Sequence, residues 1–121
     1  MSNIQEEWFK MSFDCIFCKI IDGKIVSETI VETDISIVIK DIAPHAPIHL
    51  LIIPKKHIVN VKEIAKNELY IVTDMFSIAQ ELGQKVHGAS DFKLIINNGK
   101  NAGQHVFHLH MHFLAGKINT F

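Results

Sequence analysis

Three histidines, His108, His110 and His112, stand at alternate positions between Phe107, Leu109, Met111 and Phe113. Successive side chains of an extended strand leave opposite faces. The pattern therefore sets three imidazoles on one face and four apolar side chains on the other. Near neutral pH an imidazole can attack an electrophile, move a proton or bind a metal. A dry core gives no reason to gather three of them, so this face is read as lining a polar, liganded site. Two readings fit: a liganded pocket lined by the three imidazoles, or chelation of zinc by the H-x-H pairs. The preceding loop, Asn98-Gly99-Lys100-Asn101-Ala102-Gly103, has the glycines needed to aim several backbone N–H groups at an anion. Beside a histidine face, that loop points to phosphate.

Four of the eight histidines fall at 105, 108, 110 and 112; the others are His45, His49, His57 and His87. His57 follows Lys55-Lys56 and either approaches the site or faces solvent, whereas His45 and His87 read as surface residues. A second cluster of reactive types is Cys15-Ile16-Phe17-Cys18. Two cysteines at this spacing at the start of a helix are half of a tetrahedral zinc site, a pair of buried free thiols, or a redox pair. Asp14 is the expected N-cap of that short helix and Gly23 its stop.

The elements that must position these groups follow from periodicity. Residues 26–32 and 35–42 are β-rich runs joined by a turn at Thr33-Asp34. Ile35, Ile37, Ile39 and Asp41 share one face of the second run, opposite Ser36, Val38 and Lys40. Two prolines make 43–47 a loop. Residues 48–53 form an apolar strand, interrupted by His49 and ended by Pro54. Leu69, Val72, Phe76, Ala79, Leu82 and Val86 recur at helical spacing, with Asn67 as N-cap and Gly88 as terminator. Strands are expected at 92–97 and from about 105 to 114, the latter burying its apolar face against the helix. Mostly antiparallel strands with helices laid against them make an α+β domain.

The chain has 121 residues, 48% of them hydrophobic and 21% charged, which suits one soluble domain. Residues 1–12 read as an N-terminal extension, with Met11 an alternative start, and 13–121 as the domain. Twelve basic and thirteen acidic residues give a net charge of −1, which argues against a nucleic-acid backbone as partner. No apolar leader or membrane-length segment occurs. A cytoplasmic location is expected, with both cysteines reduced.

His108-Leu109-His110-Met111-His112-Phe113-Leu114 resembles the signature of the histidine-triad (HIT) superfamily. Cys15 to Ile20, Asp41-Ile42, the segments from Pro47 to His49 and from Pro54 to His57, and Gly103-Gln104 resemble its Hint branch, the purine nucleoside phosphoramidases. The likeness spans residues 15 to 116. It implies an antiparallel sheet of about five strands, with a long helix and a short N-terminal helix packed on one face. It implies hydrolysis or transfer of a nucleoside monophosphate through a covalent nucleotidyl-histidine. His110 is then the nucleophile, with His112 donating to a phosphate oxygen and His108 completing the triad. Asn97 and the N–H groups near Gly103 and Gln104 hold the remaining oxygens, and Asp41 accepts from the ribose. Ile16, Phe17, Ile20 and Ile39 wall the base. A structural zinc on Cys15, Cys18, His49 and His108 is also implied, as is a homodimer. A dinucleoside polyphosphate hydrolase and a non-catalytic nucleotide-binding dimer are the alternatives. His105 stands where the branch has a small hydroxyl residue near the leaving group, so it is either a proton donor there or solvated. The chain stops soon after Gly116, where relatives extend, so substrate preference does not carry over.

Overall fold

The structure is a computed structural model that describes residues 14–118; the expected extension over 1–12 lies outside them. Five antiparallel strands form one open sheet: β1 (Thr29–Glu32), β2 (Ser36–Lys40), β3 (Ile48–Pro54), β4 (Phe92–Ile95) and β5 (Met111–Ala115), in the order β1-β2-β3-β5-β4. A short helix, α1 (Ile16–Ile21), precedes the sheet, and a long one, α2 (Leu69–Lys85), lies between β3 and β4. The α+β class and the strand number are as expected. Among the described residues, no helix is long and apolar enough to cross a membrane.

The expectation that both helices share one face is corrected. β2 and β3 are apolar at nearly every position and are buried on both sides. Val38, Leu50, Ile52, Leu109, Met111 and Phe113 pack with α2, whereas Ile37, Ile39, Leu51 and Ile53 pack with Cys15 and Phe17 of the α1 segment. The two helices thus cover opposite faces.

The buried face of α2 also differs from the expected one. Ile71, Met75, Ile78, Ala79 and Leu82 are buried, while Leu69 and Phe76 are 57% and 51% exposed. Two adjacent stripes of α2 have helical spacing, and only the sheet decides which is covered. Gly83 lets α2 approach β4, because a Cβ there would meet the Phe92 ring at 2.5 Å.

The first hairpin turns at Thr33, whose hydroxyl oxygen accepts from the Ile35 and Ser36 amides and whose O–H donates to Asp74. Cys15, not Asp14, caps α1: its Sγ accepts from the Cys18 amide at 3.4 Å. The last strand is shorter than expected. In the β3–β5 register Ile52 faces Met111, so the next pairs would set Pro54 opposite Leu109. Proline has no N–H to continue the ladder, and the Leu109 amide turns instead to the Ile58 carbonyl at 2.6 Å. Phe107, expected in the core, is 38% exposed.

Candidate active site and metal centre

Alternation along 108–113 survives the loss of regular pairing. Leu109, Met111 and Phe113 enter the core under α2, and His108, His110 and His112 turn to the α1 side. There a cavity of about 860 Å³ is lined by Ile16, Phe17, Ile20, Ile39, Asp41, Asn97, Gly103, His105, His110 and His112, all expected at the site, and also by His45, His49, Leu51 and Lys93. The cavity forms because β2, β3 and β5 present alternate residues to one face, and α1 covers only part of it.

His110 Nδ1 lies 2.7 Å from the carbonyl oxygen of His108. A carbonyl only accepts, so Nδ1 carries the proton and Nε2 keeps its lone pair. Burial pushes the His110 pKa down, opposed by that carbonyl and by the charge of Asp41. A neutral ring with Nε2 as lone-pair nitrogen is the nucleophilic form of imidazole. The Phe17 ring packs edge-on against it, with centroids 5.0 Å apart.

His112 is set by a chain of partners. The backbone N–H of His45 donates to His49 Nδ1 at 3.0 Å, so neutral His49 carries its proton on Nε2. That nitrogen lies 2.9 Å from His112 Nδ1 and 3.3 Å from Asp41 Oδ2. His112 Nδ1 therefore accepts, and its own proton sits on Nε2. Burial, then the neighbouring His110 and His49, lower the His112 pKa to about 4, so it is a neutral donor at pH 7. Asp41, His49 and His112 are close enough together to suggest a cation site. The His45 amide argues against one, because a metal on His49 Nε2 would require a proton on Nδ1, where that amide already donates. The trio is a hydrogen-bond relay.

The cysteines answer the opposite way. Cys15, Cys18, His57 and His108 bring one ligand atom each within 4.8 Å of one another. His108 Nδ1 is 3.3 Å from Cys15 Sγ and 3.5 Å from Cys18 Sγ, and His57 Nδ1 is 3.3 Å from Cys18 Sγ. Zinc bonds of about 2.3 Å to sulfur and about 2.0 Å to nitrogen give tetrahedral S–N edges of roughly 3.5 Å. His108 Nε2–H donates to the Pro54 carbonyl at 2.7 Å, which leaves Nδ1 as the lone-pair nitrogen facing the sulfurs, as in histidines that bind a metal through one nitrogen and a carbonyl through the other. Burial lowers the His108 pKa to about 4 and pushes that of His57 down too, so both rings are neutral. These four residues fit a zinc ion.

The expected partner His49 is corrected here: the structure brings His57, not His49, to the cysteine pair and His108. His49 faces Leu114 in the ladder, and the same register carried on puts His108 opposite Lys55. Six residues of strand, roughly 20 Å, separate His49 from that end. His57, just past Pro54, was the histidine the register could have picked out, had pairing been known. His45 was also read as surface, yet its amide fixes the relay.

The glycine loop differs from expectation in its donors. The Gly103 and Gln104 amides donate to Lys100 and Gly99 within the loop, both at 3.1 Å. The Gln104 side chain is buried, accepting from the Gly99 amide at 2.8 Å and donating to Val59 and Val106. Gln104 braces the loop and does not line the cavity. Gly103 has φ +92°, and a Cβ there would come within 3.3 Å of Asn97 Nδ2. Asn97 uses one amide proton on the Ala102 carbonyl at 2.8 Å, leaving the second for the cavity. His105 is exposed at the rim.

Comparison with known proteins agrees with this geometry. Residues 22–119 match the HIT domain family. The chain is 44% identical over 102 residues to a HIT-like protein of Chlamydia pneumoniae, covering 84% of this chain and 93% of that one. A HIT family hydrolase from Clostridium thermocellum superposes with a TM-score of 0.84 at 44% identity, over 89% of this chain and 95% of that one. A histidine triad nucleotide-binding protein from Candida albicans superposes with a TM-score of 0.77 at 32% identity, over 86% and 76% of the respective chains.

Proposed function

Because this chain belongs to the HIT domain family, we propose that it is a nucleotidyl hydrolase or transferase working through a covalent nucleotidyl-His110, with purine nucleoside 5′-phosphoramidates as its substrate class. The observation that carries the reading is the 2.7 Å bond from His110 Nδ1 to the His108 carbonyl, which leaves Nε2 as the lone-pair nitrogen on a cavity wall. The Nε2 lone pair attacks phosphorus, the P–N bond breaks, and the amine leaves with a proton taken from solvent. Water then cleaves the nucleotidyl-histidine and restores the ring. His112 Nε2–H donates to a phosphate oxygen as charge develops, and the second Asn97 amide proton is placed for another. Asp41 accepts from ribose, and Ile16, Phe17, Ile20 and Ile39 wall the base. His108 shapes the nucleophile through its carbonyl, while its ring belongs to the metal centre.

Cys15, Cys18, His57 and His108 hold a structural zinc in this reading, tying α1 to the ends of β3 and β5 in a reducing, cytoplasmic setting. A second copy of the chain covers the exposed apolar groove of Leu69, Val72, Phe76, Phe92 and Leu94; a monomeric mass in sedimentation would remove that part.

The cavity of about 860 Å³ is near the upper end of small-molecule sites. It supports a large conjugate, and so keeps a dinucleoside polyphosphate hydrolase as the second reading. Turnover of adenosine 5′-phosphoramidate and of a diadenosine polyphosphate, measured side by side, separates the two. Stabilisation by AMP in a thermal melt, with turnover of neither, would favour a non-catalytic binding dimer. His110→Ala is expected to lower turnover at least about 10³-fold, and full activity of that variant would refute the mechanism.

A further inference from the structure

The thiol cluster and the cavity share a wall. Cys15 and Cys18 flank Ile16 and Phe17, and these two line the cavity. The Phe17 ring packs against both the metal-side His108, at 5.8 Å between centroids, and the nucleophile His110, at 5.0 Å. The two sulfurs lie within 4.8 Å of each other. Cys15 is buried, but Cys18 is half-buried and gives an oxidant a way in.

We propose that Cys15 and Cys18 are an oxidation site, a peroxide-sensitive thiol pair whose conversion to a disulfide rearranges the nucleotide pocket. The inference rests on the reading of that cavity as a nucleotide site. The Cys18 thiolate attacks hydrogen peroxide, the O–O bond breaks, and a sulfenic acid and water result. The Cys15 thiolate then displaces hydroxide from that sulfur, which leaves as water once protonated. Together the sulfurs lose two electrons, peroxide gains them, and two protons are taken up.

Disulfide formation acts directly on the wall. Cys15 is the extended residue that caps α1; its sulfur lies within 4.8 Å of that of Cys18, and a disulfide brings the two to about 2.05 Å. Closing the bridge removes the Cys15 Sγ cap from the Cys18 amide and pulls on the Ile16–Phe17 segment between the two sulfurs. It also takes both sulfurs from His108, whose carbonyl holds the His110 Nδ1 proton. The same bond therefore ejects a bound metal and shifts the ring packed on the nucleophile.

The test uses the full-length reduced chain, loaded with zinc and titrated with hydrogen peroxide. Intact mass, zinc release to a chromogenic chelator, and AMP affinity by calorimetry are followed together. The expected result is a product lighter by two hydrogens, release of one zinc per chain, and AMP affinity about tenfold weaker or more. Thiol reductant with zinc restores it, which excludes oxidation of Met75 or Met111 to the sulfoxide as the cause, since that product needs a reductase to reverse it. In Cys15→Ser/Cys18→Ser the peroxide effect on AMP affinity should vanish. Thiols left unreacted, or a disulfide that leaves AMP affinity within twofold of the reduced chain, would overturn the proposal. If the chain holds no zinc, the zinc reading fails while the mass and affinity arms still decide. If AMP does not bind the reduced chain, the nucleotide reading fails instead. The imidazole N–H resonance of His110 then decides, moving on oxidation if the wall is coupled to it and staying fixed if not.

Discussion

Two histidine clusters lie on the same face of the sheet, one near each end of β3. Each joins a histidine from β3 or its exit to one from the triad segment, and adds thiols or a carboxylate. The difference between them is which backbone group meets a ring. At His108 a carbonyl, that of Pro54, takes the Nε2 proton and leaves Nδ1 facing two sulfurs. At His49 an amide, that of His45, fills Nδ1 and forces the proton onto Nε2, toward His112 and Asp41. One carbonyl thus readies a ring to bind a metal, and one N–H sets up a hydrogen-bond relay. His110, between them, is held by a third backbone group in the nucleophilic form.

The strongest way to break this contrast is to exchange the roles. His57→Ala is expected to lower zinc affinity by orders of magnitude, and His49→Ala to leave zinc content unchanged, both read by metal analysis of the purified variants. A His49→Ala protein that loses its zinc would collapse the distinction. Next in size, His49→Ala should lower kcat about 10–100-fold with little change in KM, because His112 loses the partner that sets its tautomer. An effect confined to KM would make His49 a binding residue instead.

Acid sharpens the relay side. The His112 pKa is lowered from 6.5 to about 4 in the fold. As pH falls, the unfolded chain takes up its proton first, so this contribution to stability is whole above about 6.5 and is lost on the way to 4. Denaturation midpoints should decline across that window, and His112→Asn should flatten the slope; an unchanged slope would mean that the ring is not held neutral. The smallest effect belongs to the loop. Gly103→Ala forces a side chain into φ +92° beside Asn97, costing about 1–2 kcal/mol, with a modest loss of AMP affinity.

Much of this was legible in the amino-acid order, for local reasons. The alternation from Phe107 to Phe113 assigns the histidines to one face whatever the strand's exact ends, and Pro54 ends β3 because it has no N–H. What was not legible depended on partners far along the chain. His49 and His57 are eight residues apart, and only the β3–β5 register says which of them comes near His108. The covered stripe of α2 was ambiguous because 69-72-76 and 71-75-78 are both helical spacings. Gln104 read as a phosphate neighbour, yet its side chain and amide are engaged within the protein, a bond inventory that spacing does not carry. The resemblance implies His49 beside the cysteines, whereas the fold brings His57 there.

The most direct test of the account is intact mass after rapid mixing with adenosine 5′-phosphoramidate and quenching within milliseconds. Wild type is expected to carry one adenylyl group, His49→Ala a smaller fraction formed more slowly, and His110→Ala none. An adduct that persists in His110→Ala, or turnover by wild type with no adduct at any time, would contradict the assignment of His110 as the nucleophile.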